Sequence, residues 1–251
     1  MEKNEIRYKE LFVNRIGINV DAYMITTDII CVFPKNSTVE IDKHNIIKTN
    51  KKNYMNIPKT LSNIIPNLTI VKGKFENTRI NDYHILNNNI LGFNSFFYTN
   101  TTNIQIPAIE FTNELLQFFG CSIINENDIL ELHNKIEMPF FKITIGINYK
   151  NDYLLKEGLG EGFYIENHDT PHIHQPSNIN AEGYLVLAKR VDNILLLSKV
   201  RIPFGKAVYT PPFTYHNDSL LIGDYNVLYN KTDNYQTYIF KTFDNKIVNI
   251  F

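Results

Sequence analysis

Between Pro171 and Pro176 the chain reads His172, Ile173, His174, Gln175. Side chains alternate faces along a β-strand, so on a strand His172 and His174 share one face and Ile173 takes the other. Proline suits strand ends and edges and not a central ladder position. The two prolines therefore bracket a short strand. Two imidazoles on one face can grip one ion only if the remaining ligands come from neighbouring strands. That requirement points to a barrel or sandwich of strands built around the pair.

Further ligand types stand nearby. Glu182 precedes the apolar run Tyr184, Leu185, Val186, Leu187, and His216 closes the stretch IPFGKAVYTPPFTYHND at residues 202–218. Imidazole with carboxylate suits a divalent transition metal such as Fe, Mn, Zn or Ni. His172, His174, Glu182 and His216 are the expected ligands. His168, four residues before His172, reads as a pocket-lining or solvent-facing residue. His44, His84 and His133 have no partner at ligand spacing.

These residues resemble the two motifs of the cupin superfamily. His172 and His174 match the His-x-His pair. Gly205, Pro211 and His216 match the second motif at the family's spacing, with Phe213 at its inner glycine and Leu220 at its final asparagine. Glu182 follows His174 by eight residues, where the family has four or five, and the segment Asn178–Ala181 absorbs the difference as a longer turn. Gly162 stands ahead of His168, with five residues between them, and not at that spacing from His172. The resemblance covers residues 140–250 and implies an antiparallel β-barrel, or jelly roll, with a metal inside. It also implies a metal-dependent enzyme on a small organic substrate, of oxygenase or isomerase type. The alternative is a non-catalytic metal- or ligand-binding protein. Tyr215 and Gln175 are the candidate catalytic side chains, with Arg201, Lys206 and Tyr209 as further polar pocket groups.

Composition narrows the partners. The formal net charge is -1, which gives no electrostatic case for nucleic acid or an anionic membrane. A small-molecule substrate is the expected partner, and a homodimer is compatible. No apolar run reaches transmembrane length, and the charged start MEKNEIRYKE has no signal-peptide core. A cytoplasmic protein is expected. Cys31 and Cys121 form no disulfide framework.

The 251 residues contain 43% hydrophobic residues, enough for a substantial core. Strand-like segments run throughout, including residues 22–33, 38–42, 67–72, 93–98, 140–148, 184–188, 194–200, 207–210, 220–229 and 235–240. Asn87–Asn89 reads as a turn, Pro58–Ile65 as a short helical turn, and Arg190–Asn193 as a hairpin turn. Residues 107–119 and 125–136 read as helices, the first capped at Thr112 or Asn113 and stopped by Gly120. The expected fold is mainly β: a β-rich region 1–138, in the manner of a degenerate cupin barrel with helices near 108–136, then a metal-binding barrel 139–251.

Overall fold

A computed structural model of the chain describes residues 7–55, 57, 61–77, 95–230 and 232–251. The turn expected at Asn87–Asn89, part of the one at Pro58–Ile65, and His84 lie outside these residues. The fold is mainly β, with 50% strand and 7% helix. The first ten strands are β1 (Asn14–Ile16), β2 (Tyr23–Phe33), β3 (Thr38–Ile41), β4 (Ile46–Lys48), β5 (Thr69–Asn77), β6 (Ser95–Thr99), β7 (Asn103–Ile104), β8 (Ala108–Ile109), β9 (Ser122–Asn125) and β10 (Ile129–Glu131). The chain continues through β11 (Met138–Ile145), β12 (Tyr164–His168), β13 (His172–Pro176), β14 (Glu182–Val191), β15 (Ile194–Val200), β16 (Lys206–Thr210), β17 (Tyr215–Leu228), β18 (Tyr235–Thr242) and β19 (Asn249–Ile250).

A single large sheet holds most of them, in the order β1-β2-β11-β17-β12-β18-β6-β5-β15-β14. β14 also pairs with β17, so the path of pairings returns to β17. β13 lies between β16 and β17, and β9 extends that arm. Strands from either side of residue 138 lie side by side: β2 pairs with β11, and β6 with β18. The β-branched and aromatic composition of these segments suits a pleated, half-buried surface. The turn between β14 and β15 is two residues, Asp192 and Asn193, with Asp192 in the left-handed region at φ 52. Aspartate and asparagine tolerate that conformation in tight hairpins.

Helix is much shorter than the sequence suggests. Residues 107–119 hold β8 and then one helical turn, α1 (Asn113–Gln117). Residues 125–136 contain a turn and β10 in place of a helix. Asp128 accepts hydrogen bonds from the Asn125 backbone (2.7 Å) and side chain (3.1 Å), and Asn127 takes φ 68. This local turn chemistry competes with the helix, and pairing of β10 with β3 settles the outcome. No helix among the described residues is long and apolar enough to cross a membrane.

Two apolar clusters fill the interior. The larger includes Phe97, Phe141, Tyr164, Leu187, Tyr229 and Phe240. The smaller gathers Val39, Phe140, Ile173 and Leu228 beneath the three-stranded sheet β10-β3-β4. Ile173 belongs to the smaller cluster while the rings of His172 and His174 lie 5.4 Å apart across the strand from it. The alternation read from the sequence is thus realised on β13.

Candidate metal centre

Three strands each present two polar groups spaced two residues apart. β12 carries Glu166 and His168, β13 carries His172 and His174, and β17 carries His216 and Asp218. Glu166 is the register partner of His216, which places the two strands' groups together. The four imidazoles cluster: ring centroids are 4.2 Å apart for His168 and His172, 4.7 Å for His172 and His216, and 6.0 Å for His174 and His216. All four are buried.

His168, His172 and His216 form the tightest set, with one ligand nitrogen from each within 4.8 Å of the others. His216 and His168 each have their other ring nitrogen held. His216 Nδ1 faces the Thr214 carbonyl at 2.9 Å. A carbonyl can only accept, so Nδ1 carries the hydrogen and Nε2 presents its lone pair to the group. His168 Nδ1 meets the Thr170 hydroxyl at 3.1 Å. Partners of this kind fix the tautomer and orientation of a metal-ligating histidine. His216 Nε2 lies 3.0 Å from His172 Nδ1. His168 Nε2, His172 Nε2 and both nitrogens of His174 are buried without a hydrogen-bond partner. Leaving a buried polar atom unpaired costs about 1–3 kcal/mol. An ion accepting a lone pair from His168 and from His172 removes that cost at those two rings, so the donor set fits a transition metal.

Electrostatics keep the rings neutral, as ligation requires. Burial pushes His168 down to about 4, opposed by Thr170 and Asp169. Burial, then His168 and His174, pushes His216 down to about 3. His172 falls well below the usual range through burial and its three imidazole neighbours.

Two carboxylates stand beside the rings. Glu166 lies 3.9 Å from His216 and Asp218 3.9 Å from His174, both longer than hydrogen bonds. Burial, then the charge of Asp218, pushes Glu166 up to about 8, against the pull of Arg15. Burial also works to raise Asp218, but His174, Arg15 and His216 outweigh it and hold Asp218 below its ordinary value. Tyr164 donates to Asp218 at 3.2 Å, and Arg15 donates to the Tyr164 and Tyr149 hydroxyls at 3.2 and 3.1 Å. Arg15 is 4% exposed. A cavity of about 30 Å³ reaches His172, Glu166 and Asp218 between Arg15, Ile143 and Tyr229.

The structure therefore brings together His172, His174 and His216 of the expected ligands and adds His168. Glu182 is not brought to them. It stands at the start of β14, with a side chain 62% exposed and 3.7 Å from Arg201. The carboxylates at the histidines are Glu166 and Asp218. Tyr215 and Gln175 also turn away, because each neighbours a histidine in sequence and so takes the opposite strand face. The Gln175 amide donates to the Asp42 carbonyl at 2.6 Å, and the Tyr215 hydroxyl to Gln236 at 3.5 Å. Lys206 sits over Phe111, and Tyr209 is the register partner of Ile173, not of a histidine. His44 and His133 are exposed. Glu166 and Asp218 were detectable in principle, since Glu-x-His and His-x-Asp obey the same two-residue rule as His-x-His. Tyr164 follows the same rule, two residues before Glu166, while Arg15 carries no such signal.

The turn before His216 bears on the motif resemblance. Gly205 has φ 81, and Phe213, at the position of the motif's inner glycine, has φ 63. The Phe213 N–H donates to the His168 carbonyl at 2.7 Å, tying this turn to β12. No protein-family model matches the chain, and no curated protein matches its sequence.

Proposed function

We propose that this chain is a cupin-like, metal-dependent enzyme acting on a small organic substrate, of oxygenase or isomerase type. His168, His172 and His216 hold one divalent transition metal, with Glu166 as the adjacent carboxylate. The observation that carries this reading is the set of three buried, neutral imidazoles with nitrogens within 4.8 Å of one another. In support of a cupin-like barrel, the pairings return to β17, and a bulky residue keeps a left-handed φ where the motif has glycine.

When bound, a metal with three protein imidazoles and open positions supplies Lewis acidity. The chain's own groups do the rest. Thr214 and Thr170 orient His216 and His168. Arg15 and Tyr164 offset the charge of Asp218. Glu166 holds a proton near neutral pH, which it can yield to a base or to incoming positive charge. A second reading, non-catalytic metal binding, is favoured by the small cavity. A volume of about 30 Å³ leaves room for water-sized molecules beside His172.

Elemental analysis of protein reloaded separately with Fe, Mn, Zn and Ni tests the site. One equivalent of at least one metal is expected, lost in His172→Ala and in His216→Ala while the circular dichroism spectrum is kept. Failure of every metal to bind sinks the proposal. Dioxygen uptake by the iron-loaded protein across a panel of small organic acids and diols then separates an oxygenase from the other readings.

A further inference from the structure

A second cavity, of about 380 Å³, opens away from the histidine cluster, between the start of β14, the end of β15 and the middle of β17. Its charge is unbalanced. Among the described residues Lys150, Lys199 and Arg201 line it, with Glu182 as the one carboxylate side chain. Glu182 stands 3.7 Å from Arg201, beyond hydrogen-bond reach, so the guanidinium fork is not satisfied by it. Among the described residues no carboxylate pairs with either lysine. Lys150 donates to the Ile250 carbonyl at 3.3 Å, and the Lys199 ammonium lies 5.0 Å from the centre of the Tyr184 ring. Apolar surface lines the same cavity, with Ile147 63% and Phe251 57% exposed, while Leu221 and Ile250 are buried.

We propose that this cavity binds an amphipathic organic monocarboxylate, its head on Lys150, Lys199 and Arg201 and its apolar body on Ile147 and Phe251. The guanidinium fork matches a planar carboxylate, and the two ammoniums add charge without demanding a direction. Burial and then the neighbouring Lys150 charge lower Lys199, a repulsion that a bound anion relieves. The exposed apolar surface of Ile147 and Phe251 selects an alkyl or aryl acid over inorganic anions. The assignment also gives Glu182 a role: it holds Arg201 loosely over the cavity and is displaced from it by the ligand.

Calorimetric titration with octanoate tests this site on the full chain, with octan-1-ol and inorganic phosphate as counter-probes. Saturable octanoate binding is expected, at least about tenfold tighter than octan-1-ol, since charge-assisted hydrogen bonds contribute about 1.5–3 kcal/mol, and tighter than inorganic phosphate, which gains nothing from the apolar surface. Lys150→Ala/Lys199→Ala should weaken octanoate about tenfold or more without moving the unfolding midpoint. Glu182→Gln should bind as tightly as the wild type or tighter. His172→Ala should bind octanoate unchanged, so this site is separable from the metal centre. Equal binding of octan-1-ol, an unaffected double-lysine variant, loss of octanoate in His172→Ala, or no saturable binding would each overturn the proposal.

Discussion

Each of the three buried imidazoles of the centre is held below the pKa of a free histidine, and this links the site to stability. The unfolded chain takes up protons on these residues below about pH 6.5 that the folded chain refuses until about pH 4 or lower. More protons are bound in the unfolded state, so stability rises with pH through this window. The histidine contribution is complete above about pH 6.5 and is lost as the pH falls. Glu166 acts in the opposite sense. Its folded pKa of about 8 exceeds the ordinary value of 4.5, so its contribution is present at low pH and lost as the pH rises toward 8. Metal-free protein should melt highest at about pH 6–7 and lose midpoint steeply toward pH 4, and His168→Gln should flatten the acid limb. A metal-free midpoint that does not change between pH 4 and 7 would contradict the buried, neutral state of these rings. The two glutamates separate equally cleanly. Glu166→Gln should weaken metal binding about 10–100-fold, as loss of an adjacent support does, while Glu182→Gln leaves metal content unchanged; the reverse result in elemental analysis would restore Glu182 as a ligand.

At the scale of elements, two backbone positions in the left-handed region make a contrasting pair. Gly183 has φ 83 beside the register shift between β14 and β17, and a Cβ there would run into the Leu220 carbonyl oxygen. Phe213 has φ 63 with a side chain 59% exposed, so its strain is not offset by burial. Gly183→Ala should destabilise the protein by about 2 kcal/mol or more, while Phe213→Gly should be neutral or stabilise it by about 1 kcal/mol. Denaturant midpoints measure both, and equal losses in the two variants would refute the contrast. The same scale shows what can be read in a sequence. Ile194–Val200 and Tyr235–Thr242 alternate or carry β-formers strongly enough that their strands follow directly. Residues 125–136 have helical composition, yet pairing of β10 with β3, about ninety residues earlier, overrides it. Propensity is local, and that partner is not. For the site, alternation identifies which residues share a face, so His172 and His174 are legible and Tyr215 and Gln175 could have been excluded. Which strands meet is not legible from spacing, so alternation puts Glu166 beside His168 and Asp218 beside His216 but does not tell either from Glu182 as the carboxylate that reaches the centre.

For the molecule as a whole, a centre drawing on β12, β13 and β17 ties together strands that the unfolded chain keeps far apart. An ion that binds only the folded form stabilises it by mass action. At a hundredfold its dissociation constant the gain is about 2.7 kcal/mol, or about 5–10 °C in melting temperature for a chain of this size. Differential scanning calorimetry with and without the metal, and after chelation, checks this; a midpoint indifferent to both would mean that the histidine cluster is structural.

The parallel pairing of β6 with β18 has a consequence for how the chain is made. Phe96, Phe97 and Tyr98 lie against Ile239, Phe240 and Lys241, more than 140 residues downstream. While the ribosome is still adding those residues, the aromatic edge of β6 has β5 on one side and nothing on the other. An uncovered, aromatic strand edge is a template for intermolecular pairing, and contacts this distant close slowly. The nascent chain therefore passes through a long sticky interval that ends only when its last strands emerge. A version ending at Asn234 should partition into the insoluble fraction, and co-expressed holdase chaperones should recover soluble full-length protein when synthesis is fast.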